Sequence, residues 1–234
     1  MTTTTTNDAS KNSKEQGNAA KNTAGGMLLL VRHAESEWNV LGKWTGRTDV
    51  HLTAKGHHEA GLIGDALQDI EVHHAISSQQ VRTFETLGHI LEQSGNSHLT
   101  RQQIADLNER DYGDYTGLNK WEVLEQLGED VFTQIRRSWD YPIPNGETLE
   151  MVHERAVPFY TEHILPRLLA GENVLVVSHG NTIRALIKYL ENVSNDGIAE
   201  VEMPFGHVLM YHVTPEGKHA SKETRVVDVT PPHA

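Results

Sequence analysis

One short stretch, Met27-Leu28-Leu29-Leu30-Val31-Arg32-His33, contains the features that decide the fold. Its five consecutive apolar residues are typical of a short β-strand that is buried on both faces. A second run, Asn173-Val174-Leu175-Val176-Val177-Ser178-His179, has the same character. Each run therefore predicts a buried strand, and each strand leads directly into a histidine.

The sequence around these two runs alternates between short strand patterns and helical periodicity. Strands are predicted at residues 74–77, 98–104, 208–213 and 224–229. Helices are predicted at 54–67, 80–93, 119–128, 131–138 and 148–169, and after His179. Thr53 is the predicted N-cap of the first, and Val81, Phe84, Leu87 and Leu91 form the predicted inner face of the second. The helix at 148–169 is predicted to be kinked at Pro158 or Pro166. This alternation predicts an α/β fold, a three-layer α/β/α sandwich with a mostly parallel mixed sheet.

Composition excludes several classes of protein. The 234 residues include 32 acidic and 20 basic ones, and the resulting net charge of −12 argues against binding to nucleic acid or to an anionic membrane. The absence of cysteine excludes a disulfide framework and a thiol nucleophile. Residues 1–26 contain almost no side chains that could be buried, so they are predicted to be a disordered tail before a single domain at 27–234. We expect a cytoplasmic protein without a membrane span.

The two strand ends suggest a chemistry. In a parallel sheet, ligands bind beyond the carboxyl ends of the strands, so His33 and His179 are expected to face one another across a crevice. Helix N-termini and the adjacent Arg32 would favour an anion there. A neutral imidazole could then attack a phosphoryl group without any metal. With 15 histidines in the chain, the alternative is that both are ordinary loop residues.

The sequence around these histidines favours the phosphoryl-transfer interpretation over that of ordinary loop residues. It resembles the histidine phosphatase superfamily and, more narrowly, its 2,3-bisphosphoglycerate-dependent phosphoglycerate mutases. The resemblance rests on the segments 32–39 (RHAESEWN), 44–47 (WTGR), 52–56 (LTAKG), Ser77-Ser78, Arg82, 107–113 (LNERDYG), 117–120 (GLNK), Arg136-Arg137 and 178–181 (SHGN). The Arg-His and His-Gly pairs mark the whole superfamily, whereas the segments at Glu109, Lys120 and Arg136-Arg137 mark the mutases.

The resemblance implies a phosphoglycerate mutase-like fold and assigns roles to single residues. His33 is implied as the nucleophile, His179, Arg32 and Arg82 as stabilisers of the phosphoryl group, and Glu109 as the general acid and base. Substrate contacts are implied for Arg32, Arg82 and Glu109, and also for Ser36, Asn39, Thr45, Gly46, Tyr112, Lys120, Arg136, Arg137, Gly180 and Asn181. The pairs His57-His58 and His73-His74 are interpreted as surface residues, so no metal site is predicted.

The implied activity is interconversion of 2-phosphoglycerate and 3-phosphoglycerate through phospho-His33, primed by 2,3-bisphosphoglycerate and independent of metal. The expected partners are phosphoglycerates and further copies of the chain, in a dimer or tetramer. Two alternatives stay open: a metal-independent phosphatase for small phosphomonoesters, and a non-catalytic module that binds phosphorylated ligands. Two features depart from the family. Ala34 stands where the family usually has a glycine after the nucleophile. The short segment 138–147 predicts a less covered site with some phosphatase activity.

Overall fold

A six-stranded sheet lies at the centre of residues 25–229, the part of the chain that the computed structural model describes. The strands are β1 (Met27–Arg32), β2 (His74–Ser78), β3 (Arg101–Ile104), β4 (Val174–Ser178), β5 (His207–Val213) and β6 (His219–Val226). Their order is β3-β2-β4-β1-β5-β6. The pairs β3–β2, β2–β4 and β4–β1 are parallel, whereas β1–β5 and β5–β6 are antiparallel. The prediction of a mostly parallel mixed sheet is therefore confirmed.

Helices cover both faces of this sheet. They are α1 (Glu37–Val40), α2 (Ala54–Asp65), α3 (Val81–Gln93), α4 (Lys120–Arg137), α5 (Leu149–Phe159), α6 (Leu165–Leu169) and α7 (Gly180–Glu191). A π-helical turn, Tyr160–Ile164, joins α5 to α6 directly after Pro158. The predicted helix at 148–169 is thus present, and its interruption follows the proline, which lacks a backbone donor.

The apolar run in β1 supplies both halves of the core. Leu28 and Leu30 pack in one cluster with residues of α5 and α7, while Leu29 and Val31 pack in another with residues of α2 and α3. All four side chains are fully buried. Because alternate residues of a strand point to opposite faces, a continuous apolar run is what a sheet covered on both sides requires. This arrangement is the predicted three-layer sandwich.

Helices α2 and α4 begin close to their predicted positions, each after a polar N-cap residue. Thr53 caps α2, with its Oγ1 accepting a hydrogen bond from the Gly56 amide at 2.9 Å. In α4, Asn119 is the N-cap, and Gly128 has a φ of 78° that interrupts the helical backbone. The two helices predicted at 119–128 and 131–138 are therefore the two parts of one kinked element.

The inner face of α3 differs from the prediction. Val81 and Phe84, predicted to be inside, are only half-buried, whereas Arg82, Thr83 and Thr86 are buried. Apolar periodicity is misleading here because the N-terminal part of this helix borders a polar site rather than the core.

The two edge strands also differ from their predicted ranges. β6 covers residues 219–226 instead of 224–229, and β3 covers 101–104 instead of 98–104. Most side chains of β6 are exposed, so its pairing with β5 leaves no apolar signal in the sequence.

Gly25 and Gly26 are part of the folded structure. The Gly26 amide donates to the carbonyl of Leu168 at 2.6 Å, and its carbonyl accepts from the amide of Val213 at 3.1 Å. A Cβ at Gly25 would lie 2.0 Å from the Val213 carbonyl oxygen, so no other residue fits without a shift. The rest of the predicted tail, residues 1–24, lies outside the described residues. Among residues 25–229, no helix has the length and apolar character needed to cross a membrane.

Candidate active site

The pairing of β1 with β4 brings the two strand-end histidines together. Arg32 is in register with Ser178, and the His33 amide donates to the Ser178 carbonyl at 2.9 Å. The imidazole rings of His33 and His179 have centroids 5.1 Å apart and an interplanar angle of 63°. The expected juxtaposition at the carboxyl ends of two central strands is therefore present.

The hydrogen bonds of His33 leave one ring nitrogen available as a nucleophile. Nδ1 donates to the Ala34 carbonyl at 2.8 Å, so the lone pair of the neutral ring is on Nε2. The Arg82 Nε–H points at this Nε2 from 3.3 Å. Burial and the charges of Arg82 and Arg32 hold the pKa of His33 well below its usual value, which keeps the imidazole neutral.

Arg82 is held rigidly beside His33. Its two terminal nitrogens donate to the carbonyls of Thr48 and Gly46, each at 3.0 Å. The side chain is almost fully buried, and burial lowers its pKa to about 10. A guanidinium fixed in this way can meet phosphate oxygens without first having to be ordered.

His179 and Arg32 each have a buried nitrogen without a partner in residues 25–229. Nε2 of His179 lies 2.8 Å from the Ser78 hydroxyl, and a hydroxyl that donates there leaves the proton of the neutral ring on Nδ1. That Nδ1 and Nε of Arg32 are both buried and lack a hydrogen-bond partner in this part of the chain. Burial lowers the pKa of both side chains. Unpaired buried donors of this kind are costly unless an anion accepts from them.

A cleft of about 310 Å³ opens above these groups. Most residues predicted to contact substrate line it, namely Arg32, His33, Asn39, Thr45, Gly46, Arg82, Glu109, Tyr112, Lys120, Arg136, Arg137, Gly180 and Asn181. Its size suits a small metabolite. The predicted catalytic residue His179 does not line this cleft; it is fully buried, and its ring packs against that of His33.

Ser36 does not line the cleft. Its side chain is fully buried, and its Oγ donates to Oδ1 of Asn39 at 2.7 Å. The Ser36 amide donates to the same oxygen at 3.1 Å. Ser36 therefore orients Asn39, whose Nδ2 hydrogens are left for a ligand, and the predicted contact of Ser36 itself with substrate stays a prediction.

Three further cations, Lys120, Arg136 and Arg137, also line the cleft. Lys120 is half-buried, and burial together with the charges of Arg136 and Arg32 lowers its pKa to about 8. Burial and the neighbouring Arg137 also lower the pKa of Arg136. Cations that depress one another's pKa values are stabilised by any anion that enters between them. Lys120, Arg136 and Arg137 thus form a further group of cations in the cleft, which is a candidate for a second anionic subsite.

Glu109 is a carboxylate held in place by backbone and side-chain donors. Its Oε1 accepts from the Arg110 amide at 2.7 Å and from Nδ2 of Asn181 at 3.2 Å. Arg155 donates to the Glu109 carbonyl at 3.1 Å and forms an ion pair with Glu147 at 3.0 Å. The network fixes a proton acceptor in the wall of the cleft.

Sequence analysis missed five lining residues: Trp44, Arg184, Glu202, Met203 and Pro204. Arg184 lies on α7 three residues after Asn181, so helical spacing could have placed both on one face. The stretch from Glu202 to Pro204 has no periodicity that would have revealed it.

Arg184 connects three parts of the site. It donates to the carbonyls of Arg136 at 3.2 Å and Arg137 at 2.9 Å, at the end of α4. It also donates to the Val201 carbonyl at 2.9 Å and to Oδ1 of Asn181 at 3.0 Å. This side chain therefore ties the second anionic subsite to the amide that holds Glu109.

The methyl group of Ala34 points away from the cleft. It is buried with Leu52 and Ala60, and the Ala34 amide donates to Oγ1 of Thr86 at 3.1 Å. The carbon that Ala34 has in place of the usual glycine therefore packs among apolar side chains and does not line the cleft.

The paired histidines bond to protein atoms. His57 Nδ1 lies 2.8 Å from Nε2 of His89, and His73 Nδ1 accepts from the Asn173 amide at 3.0 Å. Within residues 25–229, no group of three or more His, Cys, Asp or Glu side chains has an arrangement that could hold a metal ion.

Comparison with known proteins agrees with this geometry. The sequence model of the histidine phosphatase superfamily (branch 1) matches residues 28–224. The chain is 42% identical over 200 residues to a 2,3-bisphosphoglycerate-dependent phosphoglycerate mutase of Bartonella tribocorum, with 85% of this chain and 97% of that protein covered. It is 41% identical over 199 residues to a phosphoglycerate mutase of Schizosaccharomyces pombe, covering 84% and 94%.

Solved structures share the fold. Bacillus stearothermophilus YhfR has a TM-score of 0.73 at 26% identity, with 87% of this chain and 96% of that chain covered. The α-ribazole phosphatase of Shigella flexneri has a TM-score of 0.71 at 24% identity, covering 86% and 96%. The α/β/α sandwich is thus shared by these structures. The chain belongs to the histidine phosphatase superfamily and, within it, to the family of the 2,3-bisphosphoglycerate-dependent phosphoglycerate mutases.

Proposed function

We propose that this protein is a phosphoglycerate mutase that interconverts 2-phosphoglycerate and 3-phosphoglycerate through a phosphohistidine on His33. The observation that carries the proposal is the neutral His33 ring, whose Nε2 lone pair is available in a cleft that is also lined by the cations Lys120, Arg136 and Arg137. A phosphatase needs only the phosphoryl subsite formed by Arg32, Arg82 and the two histidines. A mutase also needs a second anionic subsite, since its substrate has two anionic ends.

The proposed cycle begins with a phosphoryl group on Nε2 of His33. The free hydroxyl of the bound monophosphate attacks phosphorus and gives its proton to Glu109, while the P–N bond breaks and its electron pair returns to Nε2. The two phosphates of the product then exchange places in the cleft. Nε2 attacks the other phosphorus, the P–O bond breaks, and the leaving oxygen takes the proton back from Glu109. The enzyme ends as it began, with phospho-His33.

Fixed positive charge stabilises the transferring group in this scheme. Arg32, Arg82 and Nδ1 of His179 are proposed to donate to its oxygens, and their burial strengthens these interactions. Lys120, Arg136 and Arg137 are proposed to hold the distal phosphate or carboxylate, with Tyr112 and Asn39 as polar partners. No step requires a metal, because guanidinium groups supply the charge.

The proposal extends to the primer and to assembly. When bound, 2,3-bisphosphoglycerate would supply the first phosphoryl group, and the buried unpaired Nε of Arg32 and the cations of the cleft fit such a polyanion. The names of the relatives support this primer. We further propose a cytoplasmic homo-oligomer, dimer or tetramer, which light scattering of the purified protein would test.

Phosphoenzyme labelling tests the two central roles. Incubation with 2,3-bisphosphoglycerate carrying radioactive phosphate should give an acid-labile, base-stable label on the wild type and none on His33→Ala. Glu109→Gln should still accumulate label on long incubation, whereas its mutase turnover should fall by roughly 10²–10⁴-fold because the proton acceptor is lost.

His58→Ala provides the matched control, since His58 is exposed and lies outside the cleft. It should be labelled like the wild type. Label that persists on His33→Ala would refute the nucleophile, and full turnover by Glu109→Gln would refute the proton role.

A further inference from the structure

Glu202 is an acidic side chain at the rim of the cationic cleft. It lines the cleft and forms an ion pair with Nη2 of Arg137. The other acidic lining residue, Glu109, has its Oε1 engaged by the Arg110 amide and by Asn181. The Glu202 carboxylate thus pairs with Arg137, a cation that the proposed function assigns to substrate binding.

The backbone on either side of Glu202 is fixed. The Val201 carbonyl accepts from Nε of Arg184 at 2.9 Å, and the Met203 carbonyl accepts from Nη1 of Arg32 at 3.1 Å. Both donors are arginines of the cleft. The backbone that carries Glu202 is therefore held by arginines of the cleft.

The ion pair is arranged so that a ligand could replace it. The Glu202 side chain is 59% exposed and that of Arg137 is 27% exposed, so water reaches the carboxylate easily. Exposed pairs of this kind contribute little free energy. An incoming carboxylate or phosphate would meet both a competitor for Arg137 and repulsion from a like charge.

We propose that Glu202 lowers the affinity of the cleft for esters with two anionic groups, by competing with the second group for Arg137. This inference rests on the proposed function, which puts that group in the subsite formed with Lys120 and Arg136. The competition weakens binding of doubly anionic ligands and leaves the phosphoryl subsite at His33 unaffected. It also favours release of a bisphosphate from the cleft.

Isothermal titration calorimetry of the unphosphorylated protein with 3-phosphoglycerate tests the inference without turnover. Glu202→Gln should lower the Kd by roughly two- to fivefold, the range that an exposed ion pair allows. Inorganic phosphate, which needs only the first subsite, should bind to both proteins with similar Kd values.

Two further variants separate local competition from a general change in charge. Glu200→Gln removes the same charge from an exposed residue outside the cleft and should keep the wild-type Kd. In an Arg137→Met background, Glu202→Gln should tighten 3-phosphoglycerate less than it does in the wild type, because the contested cation is gone and only the like-charge repulsion is removed.

The outcomes distinguish the two proposals. A Kd for 3-phosphoglycerate that is unchanged or raised in Glu202→Gln, or lowered equally in Glu200→Gln, would overturn the role of Glu202 alone. Failure of all these proteins to bind 3-phosphoglycerate would overturn both the inference and the proposed function.

Discussion

Lys120 is the cation of the cleft whose charge changes most readily with pH. Its pKa is lowered to about 8, first by burial and then by Arg136 and Arg32. The ammonium group is thus charged below this pH and neutral above it. Its Nζ lies 5.8 Å from the centroid of the Trp44 ring, inside the half-buried wall of the second anionic subsite.

Binding of 3-phosphoglycerate should weaken as the pH rises through about 8. Below that pH the Kd should be flat, and above it the Kd should rise, at most about tenfold per pH unit, because Lys120 must be reprotonated to pair with the ligand. Calorimetric titrations between pH 7 and pH 9 would measure this. Lys120→Arg should give a flat profile, since a guanidinium stays charged there, and an unchanged rise in that variant would exclude Lys120 as the cause.

For single residues, prediction from sequence identified the motif residues that line the cleft and missed Arg184, which acts through other residues. His33 and Glu109 occur in recognisable motifs and lie in the expected cleft. Ser36 belongs to such a motif too, yet it orients Asn39. Arg184 bonds mainly to backbone carbonyls, and backbone contacts leave no mark on the partner's residue type.

Helix α7 is the element that joins the parts of the site. It begins at Gly180 directly after β4, so its N-terminus faces the cleft. Arg184, one turn further along, reaches the end of α4 and the segment before β5. Its guanidinium is buried, and burial lowers its pKa to about 10. We infer that this helix keeps Arg136 and Arg137 at a fixed distance from the histidines.

Arg184→Lys should weaken substrate binding at the second anionic subsite without preventing phosphorylation of His33. A lysine keeps the charge but cannot make the forked set of hydrogen bonds, so α4 would shift by a fraction of an ångström. We expect the KM for 3-phosphoglycerate to rise by roughly ten- to a hundredfold, while His33 is still phosphorylated by 2,3-bisphosphoglycerate. Steady-state kinetics and phosphoenzyme labelling would measure the two effects.

Lys188→Met is the control for Arg184→Lys. Lys188 lies on the same helix, and its Nζ donates to the Val193 carbonyl at 2.7 Å, away from the cleft. This variant should lose stability but keep the wild-type KM. If Arg184→Lys also kept the wild-type KM, α7 would have no positioning role.

Elements were predictable where burial dictates residue type. β1 and β4 are apolar because both faces of the sheet are covered. α3 is different, since Arg82 and Thr86 are buried against the site and the apolar Phe84 is half-exposed. β6 is an edge strand held by backbone pairing with β5, which polar side chains do not reveal.

The charge of the whole molecule and that of the cleft have opposite signs. The chain carries a net charge of −12, yet six cationic side chains line the cleft against two acidic ones. The overall field disfavours polyanions such as nucleic acid, while the local field favours a small phosphate ester. Net charge was therefore informative about the class of partner and uninformative about the pocket.

Folding buries two neutral histidines, so acid should lower the free energy of unfolding. Burial, followed by the charge of Arg82, holds the pKa values of His33 and His179 well below 6.5. The unfolded chain takes up protons at these residues near pH 6.5, and the native state does so only at lower pH. The free energy of unfolding should thus fall below pH 6.5, by up to about 1.4 kcal/mol per pH unit for each histidine.

Urea unfolding between pH 7 and pH 5 would measure this dependence. A His33→Asn variant should lose stability less steeply with acid than the wild type, whereas a variant of the exposed His58 to Asn should follow the wild type. Equal slopes for His33→Asn and the wild type would contradict the buried neutral state.

The fate of the phosphoryl group tests the proposed mutase most directly. The protein is incubated with 3-phosphoglycerate and catalytic 2,3-bisphosphoglycerate, with a metal chelator present, and 2-phosphoglycerate and free phosphate are followed separately. We expect 2-phosphoglycerate to form faster than phosphate, with slow phosphate release by hydrolysis of phospho-His33, and with no effect of the chelator. Appearance of phosphate alone would contradict the mutase and identify a phosphatase.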